Sequence, residues 1–161
     1  NINYAYTISE RQFEDYNDDL AYPFQYTHQH EVKVSLKHQI TPKIALFANW
    51  QYGSGLPYIL IKTDSRFAPL SNNLAVGEVE RIGEINGHLL PAYHRLDAGF
   101  YFQWSGRNVK QSLSLGAYNV YNRKNPYYQY LIEGSFFPEE DGFKQQNALP
   151  LLPSLAYRVV F

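Results

Sequence analysis

Leu155-Ala156-Tyr157-Arg158-Val159-Val160-Phe161 is the stretch whose reading decides the fold. In an extended chain successive side chains point to opposite faces, so Leu155, Tyr157, Val159 and Phe161 share one side and Ala156, Arg158 and Val160 the other. One face is wholly apolar and ends on an aromatic ring. A strand with this pattern lies between an apolar and a more polar environment.

The same alternation recurs upstream. Ile2, Tyr4, Tyr6 and Ile8 alternate with smaller or polar residues and predict a first strand, followed by a polar, acidic stretch from Glu10 to Tyr22 that contains Asp15, Asn17, Asp18 and Asp19. A second strand is predicted from about Tyr26 to Gln39, with Val32, Val34 and Leu36 opposite Glu31, Lys33, Ser35 and Lys37. Ile40-Thr41-Pro42-Lys43 is a tight turn into a third strand carrying Ile44, Leu46, Ala48, Trp50 and Tyr52 on one face. From Gly53 to Pro91 the sequence is rich in Gly, Asn, Ser and Pro and reads as a long irregular connection.

A fourth strand starts near Tyr93, with Leu96, Ala98, Phe100, Phe102 and Trp104 facing away from Arg95, Asp97, Tyr101 and Gln103. Ser105-Gly106-Arg107-Asn108 is a second tight turn. The fifth strand is predicted from Lys110 to Tyr121, with an extension toward Leu131, and is followed by an acidic, Phe-rich loop from Glu133 to Gln146. The terminal strand is the sixth. Connections thus alternate long, short, long, short, long, the order of an up-and-down outer-membrane barrel, whose periplasmic turns are short and outer loops long.

Composition agrees with that expectation. Aromatic residues make up 17% of the 161 residues, with 15 Tyr, 10 Phe and 2 Trp, an excess suited to the boundary between hydrocarbon and water. Mean hydropathy is −0.42, and no run approaches the roughly 20 apolar residues of a membrane helix. Backbone groups in lipid are satisfied only within helices or closed sheets, so a membrane-spanning form of this chain is a barrel. Six strands are fewer than the roughly eight of the smallest bacterial barrels, and the reading is therefore a sector of a larger one. The sequence opens at Asn1 in strand-like residues without a signal-peptide pattern, which is expected of a piece of a longer protein. A net charge of −1 gives no electrostatic basis for nucleic-acid binding. Cysteine is absent, which removes disulfides and thiol chemistry.

Four motifs occur in a fixed order: Gly53-Ser54-Gly55-Leu56-Pro57-Tyr58; Leu90-Pro91-Ala92-Tyr93-His94-Arg95-Leu96-Asp97; Tyr118-Asn119-Val120-Tyr121-Asn122-Arg123-Lys124-Asn125-Pro126-Tyr127-Tyr128; and Leu151-Leu152-Pro153-Ser154. With these the last two-thirds of the chain resembles the C-terminal end of a TonB-dependent outer-membrane transporter of the type common in Bacteroidetes. The resemblance implies an all-β fold, in which residues 1–161 form about six C-terminal strands of an antiparallel transmembrane barrel of roughly 22 strands. It implies a Gram-negative cell outer membrane location, lipid around the barrel, and partners in the remaining strands, the plug domain, the TonB–ExbB–ExbD motor and the barrel-assembly machinery. Plug and TonB box are not in this sequence. Leu155, Tyr157, Val159 and Phe161 would be the C-terminal insertion signal. The implied function is import of a scarce solute such as a siderophore, haem, cobalamin, oligosaccharide or peptide. The alternatives weighed are a non-transporting barrel subunit or scaffold, a barrel lipase or protease, and a soluble carbohydrate-binding sandwich.

The residues that carry charge or donor atoms read mostly as structure. Arg95 and Asp97 lie two apart on one face and are expected to form a polar network inside the barrel wall, since an unpaired charge there is costly. His28 and His30 have a spacing that suits a metal, but no further ligands lie near in sequence. Asn119, Asn122 and Asn125, with Arg123 and Pro126, are expected to satisfy the backbone at a bend. Phe136, Phe137 and Glu139 in the last long loop are candidate substrate contacts. There is no phosphate-binding glycine loop, nucleophile elbow or catalytic cysteine. The expectation is a non-enzyme with no cofactor and no metal. The residues assigned to lipid are Val32, Val34, Leu36, Leu46, Trp50, Phe100, Phe102, Leu113, Leu115, Tyr157, Val159 and Phe161.

Overall fold

A computed structural model describes residues 1–64, 79–106, 108–133 and 142–161. In chain order the strands are β1 (Ile2–Tyr6), β2 (Glu10–Arg11), β3 (Tyr22–Pro23), β4 (His30–Thr41), β5 (Ile44–Gly53), β6 (Pro57–Tyr58), β7 (Leu60–Asp64), β8 (Val79–Ile82), β9 (His88–Leu89), β10 (Tyr93–Ser105), β11 (Lys110–Tyr118), β12 (Pro126–Glu133), β13 (Gly142–Asn147) and β14 (Leu152–Val160). The chain is all-β, with a single 3-10 turn at Asn17–Asp19 among the described residues. Among the described residues no helix is long and apolar enough to cross a membrane, which has no bearing on strands.

Six strands form one antiparallel sheet in the order β1-β4-β5-β10-β11-β14. Apart from the short edge strand β1, each has at least nine residues, the length a tilted strand needs to cross a bilayer. Its two tight turns lie at one end, between Thr41 and Ile44 and between Ser105 and Lys110. The long connections all lie at the other, the loop end.

Register carries the alternation of each strand across the whole sheet. Leu46 pairs with His38 and Phe100, Phe100 with Leu115, and Leu115 with Leu155. Ala48 likewise aligns with Leu36 and Ala98. Because a slip of one residue would turn a strand over, these pairings put most of the large apolar residues of the six strands on one face. The opposite face carries Lys33, Lys37, Asn49, Gln51, Arg95, Asp97, Ser112, Ser114 and Arg158, again in register.

Nothing among the described residues covers the apolar face. Leu155 is 71% exposed, Leu36 52%, Phe100 45% and Leu115 42%. The accessible surface is 11966 Å², whereas a compact monomer of 18.7 kDa exposes about 8,300 Å². Only Ala45, Leu60, Ile85 and Leu90 are buried apolar residues among those described, and three of them belong to the loop end.

Several sequence expectations need correction. The second long strand begins at His30, not Tyr26, because residues 24–27 form a turn in which Thr27 N–H donates to Phe24 O. The connection from Gly53 to Pro91 is not wholly irregular: it holds β6, β7, β8 and β9. Likewise β13 occupies part of the loop before the terminal strand. The fifth strand does not run on to Leu131. It ends at Tyr118, where Asn119 and Asn122 take left-handed φ values of 53° and 51°, and the chain resumes as β12 in another sheet. Phe161 lies one residue past the ladder of β14.

The second sheet has the order β13-β12-β7-β8. It consists of two hairpins, β7–β8 and β12–β13, joined through a parallel pairing of β7 with β12. This is an exception to the antiparallel expectation. β5 and β11 flank β10 and run in the same direction, and the strands that follow them, β7 and β12, pair in parallel.

Candidate binding site at the loop end

Where β10 and β11 reach the loop end, Asn119 and Asn125 are 0% and 1% exposed. Asn119 Nδ2 donates to Arg123 O at 2.9 Å and to Leu149 O at 3.2 Å, and its Oδ1 accepts Arg123 N–H at 3.0 Å. Asn125 accepts His94 N–H at 3.0 Å and donates to His94 O at 2.9 Å, so its side chain serves as a ladder partner for β10 beyond the end of β11 at Tyr118. Arg123 closes the knot by donating to Asn125 Oδ1 at 3.1 Å and Ala92 O at 3.0 Å. The sequence reading of these residues as backbone satisfiers at a bend matches this geometry.

Arg95 and Asp97 meet on the polar face. Arg95 Nη2 lies 2.8 Å from Asp97 Oδ2, Arg95 Nη1 donates to the Tyr93 hydroxyl at 3.0 Å, and the guanidinium stacks 3.9 Å from the Tyr118 ring centre. Asp97 Oδ1 also accepts Asn119 N–H at 2.9 Å, so the pair is tied to the rim knot. Each of the three guanidinium nitrogens of Arg95 thus has a polar partner. The cluster ties β10 to the end of β11.

His28 and His30 are not brought together. His30 Nδ1 bonds the Tyr4 hydroxyl at 2.9 Å on the apolar side, while the His28 ring lies over Gly53 with Nδ1 bonded to Ser54 O. A Cβ on Gly53 would meet that ring at 2.7 Å, so the glycine makes room for His28. No group of three or more metal-ligating side chains occurs among the described residues.

A cavity of about 670 Å³ opens beside His28, where the segment before β4 and the loop-end strands converge. Leu56, Pro57, Ile59, Ile61, Leu90 and Pro91 form an apolar wall. Tyr26, Tyr58, Tyr93, Tyr127 and Tyr128 supply aromatic faces, and Gln25 and Gln146 supply amides. Tyr58 donates from its hydroxyl to Gln129 Oε1 at 3.2 Å. Burial, and then the neighbouring Tyr128, hold the Tyr58 phenol above its ordinary pKa; burial, and then Tyr130, do the same for Tyr128. Both are therefore neutral donors at physiological pH. Among the described residues the lining carries no lysine, arginine, aspartate or glutamate.

Sequence reasoning did not find this cavity. Phe136, Phe137 and Glu139, the loop residues it did single out, lie outside the described residues. Leu155, Tyr157 and Val159 share the apolar face of β14 and Phe161 follows it, 96% exposed. No family model matches the chain, and comparison with the curated proteins and with the solved structures returns no match.

Proposed function

We propose that this chain is a sector of an outer-membrane β-barrel of the TonB-dependent transporter type, with its apolar face against lipid, its polar face toward the lumen and its loop end outside the cell. One observation carries the reading: an exposed apolar face that stays in register across six strands and is bounded by aromatic residues at both ends. Tyr4, Tyr6, Trp50 and Tyr52 line the loop end, and Trp104 and Tyr157 the turn end. Trp50 stacks on Tyr52, and Trp104 on Tyr157, each with ring centres 6.3 Å apart.

Their separation fits a bilayer. From His94, level with Tyr52, to Trp104 is about ten residues, or about 33 Å along β10. At a tilt of 45° that is about 23 Å along the membrane normal, close to the apolar band of about 25 Å in outer-membrane barrels. A soluble sandwich would need a second layer over Phe100, Leu115 and Leu155, and none is present among the described residues. The free edges at β1 and β14 would be closed by further barrel strands.

In this role the barrel imports a scarce solute, driven by TonB through the plug. The test is fractionation followed by uptake. The polypeptide carrying these residues should remain with outer membranes until detergent is added, and its intact mass should include a plug and TonB box. Uptake of its solute should stop when TonB is deleted. Recovery in the soluble fraction without detergent would sink the proposal.

A further inference from the structure

We propose that Asn86 is a modification site: its amide ties the second long connection to the first, and deamidation, which the closed loop end holds off, cuts that tie irreversibly. Asn86-Gly87 is the one Asn-Gly pair of the sequence. A glycine after asparagine has no Cβ to obstruct the approach of its backbone nitrogen to the side-chain carbonyl carbon. That nitrogen, after losing its proton to solvent, attacks Asn86 Cγ; the new C–N bond closes a five-membered imide, the Cγ–Nδ2 bond breaks and Nδ2 leaves as ammonia. Water then opens the imide at either carbonyl and yields aspartate or isoaspartate.

The closed loop end opposes each part of this reaction. Asn86 is 5% exposed, so water reaches it poorly. The Gly87 N–H that must be lost donates to Glu84 O at 3.1 Å and closes a tight turn, in which Asn86 holds a left-handed φ of 54°. Asn86 Oδ1 is buried and has no hydrogen-bond partner among the described residues. Negative charge gathering on that oxygen during the attack would therefore meet no donor, in a place where unpaired charge is costly. Opening of the loop end removes all of these guards together.

The product does not fit the place the amide held. Asn86 Nδ2 donates to Pro23 O at 2.7 Å and so joins the turn before β9 to β3. A carboxylate there has no proton to donate and would set its charge against the Pro23 carbonyl, acceptor to acceptor, at a buried position. Isoaspartate would also lengthen the backbone of a turn whose neighbour Ile85 is 3% exposed. The two connections meet along a seam that encloses a cavity of about 230 Å³ between Ser9, Pro23 and Phe24 on one side and Gly55, Pro57 and Leu89 on the other. Loss of the tie beside this cavity loosens the seam, and the change is not undone when the loop end closes again.

The experiment incubates the full-length protein, folded in detergent micelles and unfolded in urea, in mildly alkaline buffer made with heavy-oxygen water, so that each ring opening labels its product. Cleavage after Arg81 and Arg95 releases residues 82–95 as one peptide, whose mass and fragmentation give the deamidated fraction at Asn86 and its aspartate and isoaspartate parts. Deamidation should be at least about tenfold faster in the unfolded protein, because the folded one reacts only while open. Asn86→Asp stands for the product, and hydrogen exchange at the backbone amides of residues 22–27 should be at least about tenfold faster in it than in the unmodified protein, with the turn end unchanged. Equal rates of deamidation in the folded and unfolded protein, or no deamidation at Asn86 in either, overturn the proposal. So does exchange in Asn86→Asp at the unmodified rate. The rate comparison uses the unmodified protein and decides even where Asn86→Asp fails to fold.

Discussion

The ring of Phe47 occupies the space beside Gly99 on the polar face, where a Cβ at position 99 would lie 2.5 Å from Phe47 Cζ. Phe47 and Gly99 are paired across β5 and β10, and the same ring reaches to 3.2 Å from where a Cβ on Gly116 would sit. Two glycines on neighbouring strands thus form a shallow trough for one aromatic ring on this face.

Gly99→Ala should therefore destabilise the wall by about 1–3 kcal/mol, as overpacking does. The new methyl meets not only the ring but also the backbone carbonyl of Leu115, which cannot rotate away. Gly116→Ala meets a movable ring and the Ser154 hydroxyl at 3.2 Å, and should cost less. Urea midpoints of the two variants in micelles give the order. Equal midpoints would mean that the trough does not constrain the sheet.

Asn119→Ala should loosen the loop end. The substitution removes both donors and the acceptor of a fully buried side chain and leaves a non-glycine residue at φ 53°. Each buried group left without a partner costs about 1–3 kcal/mol. Limited proteolysis should show faster cleavage on both sides of residues 119–125 than in the unmodified protein, with the turn end unaffected. Cleavage at the unmodified rate would show that the knot is dispensable.

Alkaline pH should weaken the loop end through Tyr58. Its folded pKa is raised above 10.0 by burial and by Tyr128, so the folded state binds a proton that the unfolded chain has begun to lose. The associated stability is complete below about pH 10 and is lost as pH rises through the raised folded value. In Tyr58→Phe that loss should shrink. Protease resistance of the loop end measured from pH 9 upward for both proteins would show it, and identical profiles would contradict the assignment.

The face assignment makes opposite demands on neighbouring residues. Leu115→Lys, in the middle of the apolar face, should cost about 2–4 kcal/mol in a lipid-embedded barrel, whereas Ser114→Lys, one residue away, should cost little. Refolding into lipid vesicles and comparing urea midpoints reads the difference. Similar costs at the two positions would contradict the face assignment.

The six-stranded sheet was legible in the sequence because side-chain direction in a strand has a period of two. Leu36, Leu46, Phe100, Leu115 and Leu155 each announce their face locally, and the two tight turns fix the register between neighbours. The change of sheet after Tyr118 was only half legible. Asparagines and Pro126 mark a bend, but which carbonyls they reach depends on Ala92, His94 and Leu149, which are distant in sequence. The parallel pairing of Leu131 with Lys62 has no local signal at all, since it joins two loops through their tertiary approach. The cavity is hidden for the same reason: Tyr26, Tyr58, Tyr93 and Tyr127 come from four separate segments, and nothing near any one of them indicates the others.

The most direct test of the membrane assignment uses the lack of cysteine in this chain. Single cysteines placed in turn at Ser112, Leu113, Ser114 and Leu115 of β11, in the full-length protein reconstituted in lipid, carry a nitroxide whose relaxation by oxygen and by a water-soluble nickel chelate is measured. Positions 113 and 115 should be relaxed by oxygen and shielded from nickel, and positions 112 and 114 should not share that lipid signature. An absence of alternation, or the lipid signature at 112 and 114, would contradict it.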